Sequence, residues 1–152
     1  MEAYYSRYLK QLEGWHNEIK QALLEMDEGG LDWSPGEGMN SITALVAHTT
    51  GAERYWFGDV AAGESSARDR PAEFQAREMG KDALIQKLDD ALRYAEVVLT
   101  RFTLDDLERE CLVPHSGAMV SVAYALRHAM AHTALHLGHI QVTRQLWEQR
   151  VA

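Results

Sequence analysis

The stretch from Ser121 to Gln149, SVAYALRHAMAHTALHLGHIQVTRQLWEQ, constrains this chain more than any other. It contains no proline and one glycine, Gly138, and good helix formers follow a serine that can cap its start. That pattern predicts a helix. His128, His132, His136 and His139 lie along it, and at roughly 100° per residue they fall within an arc of about 80°. Residues four apart on a helix carry Cβ atoms about 5–6 Å from each other. Two imidazoles at that spacing can aim lone pairs at one ion, and neutral imidazole is a strong ligand for zinc, nickel, copper and iron. A surface HxxxH alone is usually an ordinary polar face. Here Ala125, Ala129 and Leu135 flank His132 and His136, and burying imidazoles without a partner is costly. The balance favours a metal.

The rest of the chain supplies a framework for such a site. At 152 residues it suits one domain, residues 1–152, with a core that needs no disulfide. Cys111 is the only cysteine, which excludes an internal disulfide and CxxC zinc motifs. Its surroundings, RECLVPH, match no nucleophile signature, so a structural role is expected. The opening MEAYYSRYLK lacks the basic and apolar regions of a secretory signal, and no apolar run is long enough to span a bilayer. A cytoplasmic protein with no membrane partner is expected. The formal net charge of -8 argues against nucleic acid, which is held by clustered Lys and Arg.

Between about Glu2 and Met26, Tyr5, Leu9, Leu12, His16, Ile19 and Leu23 recur at helical spacing, and Glu28-Gly29-Gly30 ends the segment. His16 sits in the apolar stripe and reads as a core histidine. Glu13 and His16 form an ExxH pair, but no second ExxH follows on another helix, so a di-iron bundle fails. Residues 31–39 are a loop by their Ser-Pro-Gly content. Asn40 or Ser41 caps a second helix that runs to Ala62, with Ile42, Leu45, Val46, Thr49 and Trp56 as its stripe and His48 beside it. Gly51 and Ala52 near His48 either leave room for a ligand or permit close helix packing. Arg68, Asp69 and Arg70 in the polar connection from Gly63 to Phe74 read as a structural or solvated cluster, with an anion clamp as the minority reading. A third helix from about Lys81 to Phe102 is apolar on one face and carries no histidine. In the connection from Thr103 to Val120, Thr103 can cap a short turn, and His115 has no assigned role.

Four long amphipathic segments without convincing alternating strands predict an all-α four-helix bundle with long crossover connections. Bundles build metal sites from facing helices. His132 and His136 then supply two ligands and His48 the third, leaving a coordination position open as in catalytic sites. The zincin glutamate is absent, since Ala129 and Thr133 follow His128 and His132. No GxSxG, P-loop or GxGxxG element occurs.

Three segments, NSITALVAHTTGAERYWFGDV, RDRPAEF and HAMAHTALHLGHIQVTRQLW, resemble the DinB/YfiT-like superfamily, and with the matching helix order the resemblance spans essentially the whole chain. It implies a metal triad on His48, His132 and His136 in a four-helix bundle, often dimeric. The expected ion is zinc or nickel, with iron or manganese as further candidates. Better-understood members use low-molecular-weight thiols in S-transfer, isomerisation or hydrolysis, so a small-molecule substrate and a homodimer are expected. The chain departs from relatives that place Gln after the glycine of the last motif, since His139 follows Gly138. His128 and His139 are therefore extra candidates as ligands or acid–base groups. Two readings follow: a metal-dependent enzyme acting through a thiol or water, and a non-catalytic dimeric metal-binding, stress-associated module with Tyr4, Tyr5 and Tyr8 at its interface. The general base is open. Glu53, Glu108 and Glu110 are candidates by type, although Glu53 lies about 140° round the helix from His48.

Overall fold

The computed structural model describes residues 1–151. Helix α1 (Ala3–Glu25) is followed by the short α2 (Glu28–Leu31). Helix α3 (Ile42–Arg54) runs directly into a π-helical segment, Tyr55–Ala62. After α4 (Arg70–Phe74) come α5 (Gly80–Leu99), a 3₁₀ turn (Leu104–Glu108), strands β1 (Glu110–Leu112) and β2 (Met119–Ser121), and α6 (Val122–Val151). The fold is an all-α four-helix bundle. Helix α1 packs on α5 and α6, and α3 packs on the same two. The order round the bundle is therefore α1, α5, α3, α6. Helices α1 and α3 face each other across it, as do α5 and α6, which is why long connections are needed.

Local chemistry sets the boundaries. Ser41 caps α3 by accepting from the Ala44 N–H at 3.2 Å, and Asp69 caps α4 from the Ala72 N–H at 3.0 Å. Thr103 and Asp106 form a capping box over the 3₁₀ turn. The α3 sequence continues as a π segment that closes on Gly63, whose φ of 70° suits glycine. The antiparallel pair β1–β2, with Cys111 opposite Val120, corrects the expectation of a chain without strands. Each strand is three residues long, too short for alternation to show.

Two apolar clusters fill the bundle. Tyr5, Leu12, Phe57, Leu99 and Leu126 belong to one, and Ile19, Leu23, Ile42, Leu88 and Ile140 to the other. Burying each such side chain contributes about 1.5–3 kcal/mol. Tyr5 is fully buried and its hydroxyl donates to the Thr103 carbonyl at 2.6 Å, so it is a core residue rather than an interface one. Leu135, expected beside the histidines, is 56% exposed on the outer face of α6. No helix among the described residues is long and apolar enough to cross a membrane.

A polar knot joins the two apolar clusters. His16, fully buried, bonds the Leu88 carbonyl through Nδ1 at 3.1 Å and Glu53 Oε1 through Nε2 at 2.9 Å. The Thr133 hydroxyl donates to the same Glu53 oxygen at 2.7 Å. Three hydrogen bonds thus tie α1, α3, α5 and α6 together. His16 is the core histidine the sequence indicated.

Candidate metal centre

His48 from α3 and His132 and His136 from α6 meet on the flank of the bundle, with one ligating nitrogen from each inside 4.8 Å of the others. His132 Nε2 lies 3.1 Å from His48 Nε2 and 3.2 Å from His136 Nε2. The helical four-residue step brings the α6 pair together, and packing of α3 on α6 supplies the third ring.

His48 is oriented from behind. Its Nδ1 lies 2.9 Å from Glu73 Oε2. A carboxylate only accepts, so Nδ1 carries the proton and Nε2 presents a bare lone pair. Arg68 grips Glu73 through Nε at 2.6 Å and a terminal nitrogen at 2.7 Å. Burial opposes the charge of Glu73, but hydrogen bonds from Arg68 and His48 outweigh it and hold its carboxyl below the usual range. The Phe74 ring lies 4.3 Å from that of His48. A methyl on Gly51 would overlap the Glu73 carboxylate, so this glycine makes room for Glu73 beside His48.

The donor set fits a cation better than it fits itself. A single N–H on His132 Nε2 can serve only one of its two neighbours, and without that N–H its own lone pair meets the bare lone pair of His48. The His132 Nδ1 atom is buried without a partner. Burial, then His136 and His48, push the His132 pKa down to about 3, and burial, then His48 and His139, push that of His136 down to about 4. Both rings are neutral at pH 7, the form that ligates. Three imidazole nitrogens suit zinc, nickel and similar borderline divalent ions.

His139 Nδ1 lies 3.2 Å from His136 Nδ1, which places it outside the trio as an exposed partner of a ligand candidate. The His128 ring packs at a tilt against Trp56 with centroids 4.0 Å apart and lies 6.2 Å from the His132 ring. A cleft of about 500 Å³ opens over the site, lined by His48, Ala52, Tyr55, Trp56, Arg68, Arg70, His115, His128 and His132. None of the acidic candidates reaches it. Glu53 is in the polar knot, and Glu108 and Glu110 are exposed elsewhere. Cys111 is buried and donates to the Val120 carbonyl at 3.3 Å, with burial pushing its thiol up, as suits a structural thiol. Glu73 and His115 are the site residues that sequence reasoning left out. The Asp69 cap with Pro71 in the first turn was the available signal for a short helix carrying Glu73.

Solved structures share this fold. A conserved protein from Enterococcus faecalis aligns over 96% of this chain and 97% of its own at 16% identity, with a TM-score of 0.80. YfiT from Bacillus subtilis, described as a probable metal-dependent hydrolase with an unusual four-helix bundle topology, aligns over 95% and 89% at 18% identity and a TM-score of 0.75. A mycothiol-dependent maleylpyruvate isomerase aligns over 88% of this chain and 59% of its own, at 18% identity and a TM-score of 0.64. No curated protein matches in sequence. Bundle and histidine cluster together define a protein of YfiT-like fold with a candidate metal centre. Residues 9–149 match the Mycothiol-S-transferase family, and the chain belongs to it.

Proposed function

We propose that His48, His132 and His136 hold one divalent ion, zinc or nickel before iron or manganese, and that the protein is an S-transferase using a low-molecular-weight thiol on a small electrophile. The observation that carries this reading is the convergence of three Nε2 atoms whose lone pairs no proton arrangement satisfies. Family membership supports it, as do the metal dependence ascribed to YfiT and the thiol dependence of the isomerase. An ion held by three imidazoles supplies Lewis acidity, which favours the deprotonated form of a thiol or water.

The chain's own residues do the rest. Glu73, fixed by Arg68, keeps His48 in the tautomer that ligates. Trp56 and His128 wall the cleft with flat faces, restricting water on that side. No carboxylate lines the cleft among the described residues, so the reading needs none as base and assigns the thiol's proton to solvent.

The test is elemental analysis of untagged protein, followed by thiol conjugation assays. About one divalent ion per chain, lost in His48→Ala, His132→Ala and His136→Ala together with conjugation activity, is the expected result. Near-zero metal in the wild type overturns the reading. Metal uptake that raises Tm with no turnover across thiols instead supports the non-catalytic module.

A further inference from the structure

We propose that the cleft over the three histidines selects electrophiles bearing a carboxylate, received by Arg70 and by the Nε2–H of His115. The electrophile rests on the S-transferase reading above; the anion preference rests on the cleft itself. The protein carries a formal net charge of -8, yet among the described residues no Asp or Glu lines this cleft. A larger cleft of about 690 Å³ on the far side of Arg68 mixes Asp69, Glu73 and Asp90 with Arg54 and Lys87 and shows no such bias. Charges of one sign in a concave site focus the field on the opposite one.

Arg68 is neutralised by Glu73, so the free cation is Arg70, which forms no ion pair among the described residues. Its guanidinium lies 4.9 Å from the centre of the Phe74 ring, the ring that in turn packs on His48. A cation–π contact of this kind holds an exposed guanidinium in place at little cost to its hydrogen-bonding edge.

His115 contributes through its tautomer. Its backbone N–H donates to the Tyr55 oxygen at 3.3 Å, and its Nδ1 lies 2.7 Å from that same oxygen. Tyr55 is buried and its hydroxyl has this one acceptor within reach, so the phenol proton points at Nδ1. The neutral ring then carries its own proton on Nε2 and acts as a donor. Trp56, packed against His128, contributes an aromatic wall to the cleft for an unsaturated body to lie against. His48 and His132 line the same cleft, so an anion held by Arg70 and His115 keeps the rest of its body beside the ligating imidazoles.

The experiment compares benzoate with benzamide by calorimetric titration into metal-free protein, where no ion can ligate the carboxylate. Benzoate is expected to bind at least tenfold tighter, and Arg70→Met to abolish that preference without affecting benzamide. His115→Ala reduces it in part. Raising salt from about 50 mM to about 300 mM weakens benzoate alone, as screening requires. Equal binding of the two probes, or benzoate binding indifferent to Arg70, overturns the proposal. Arg70 is exposed and holds no element in place, so its variant keeps the fold.

A second arm uses metal-loaded protein, the uncharged thiol 2-mercaptoethanol and para-chloro-meta-nitrobenzoate beside the matching benzamide. There a sulfur–carbon bond forms as the carbon–chlorine bond breaks, chloride leaves with its electron pair and the thiol proton passes to buffer. Arg70→Met is expected to raise KM for the benzoate about tenfold with kcat retained. Turnover of both electrophiles without Arg70 dependence defeats the anion site and spares the transferase reading. Arg70-dependent benzoate binding without turnover upholds the anion site and counts against the transferase.

Discussion

Replacing Glu73 by Gln tests whether the contact behind His48 governs the metal or merely pins a loop. The carboxylate accepts from His48 Nδ1 on one oxygen and from two Arg68 nitrogens across both. A glutamine can keep its oxygen towards His48 and the terminal nitrogen of Arg68. Its amide N–H₂ then faces Arg68 Nε–H, donor against donor. That clash is present with and without metal, so it appears in stability, at about 1–2 kcal/mol for a partly solvated lost bond. For a chain of this size that lowers the Tm of metal-free protein by about 2–8 °C. The loss of charge behind His48 acts differently. A charge-assisted bond is about twice as strong as a neutral one, and it raises the basicity of the ligand only when Nε2 is engaged. Outer partners of ligating histidines typically contribute 10–100-fold in metal affinity. Zinc affinity, measured by chelator competition at about pH 7.5, is therefore expected to fall about tenfold or more in Glu73→Gln. A variant that loses stability yet binds zinc within about twofold of wild type would refute the reasoning and reduce Glu73 to a structural pin.

Two further predictions follow from the buried histidines. In metal-free protein His132 and His136 are held down at about 3 and about 4 by burial and neighbouring imidazoles. From pH 6.5 down to about 4 the unfolded chain takes up protons that the folded chain refuses, so stability is complete above pH 6.5 and lost on acidification. The slope is at most about 1.4 kcal/mol per pH unit for each ring; urea melts from pH 7.5 to 5 should show it, and His132→Gln with His136→Gln should flatten it. In the polar knot, His16→Ala leaves the buried Glu53 carboxylate without its imidazole partner and is expected to destabilise by about 3–5 kcal/mol. Glu53→Gln can donate to His16 Nε2 and to Thr133 while Thr133 turns its hydroxyl to the Ala129 carbonyl at 3.1 Å, so it stays within about 1 kcal/mol. Equal losses in the two variants, by calorimetry, would rule out this account.

The helices were legible because each buries one stripe. Leu84, Leu88, Ala91, Ala95 and Leu99 on α5 all prove buried, and the 3.6-residue period alone locates them. His132 and His136 were legible for the same reason, being neighbours by helical geometry. Glu73 was not, because its partner His48 lies 25 residues away and no local period links the two. The π segment escaped notice because Tyr55–Ala62 is apolar on most sides, and its one glycine, Gly58, is the isolated kind a helix tolerates, so nothing in the pattern marks a change of helix type before Gly63. Leu135 shows the converse limit. Its position on the helix fits the histidine face to within one residue step, yet it lies outward, since the wheel gives an angle and packing decides which angle is inside.

The two carboxylate–histidine pairs explain how a site on the bundle's flank holds its shape. Glu53 and Thr133 bond across α3 and α6 inside the core, and Thr133 is the residue next to His132. Glu53 stands five residues after His48 on α3, so one buried contact fixes both ligand-bearing helices in rotation and in register. Glu73 belongs to the short α4, none of whose residues is buried, and it is held by Arg68 rather than by core packing. The inner pair thus sets where the three nitrogens converge, and the outer pair sets how strongly one of them binds. Disturbing the inner pair should move stability and the metal together. Disturbing the outer pair should weaken metal binding on top of the about 1–2 kcal/mol lost by the metal-free protein, because the charge behind His48 goes while no packed volume does.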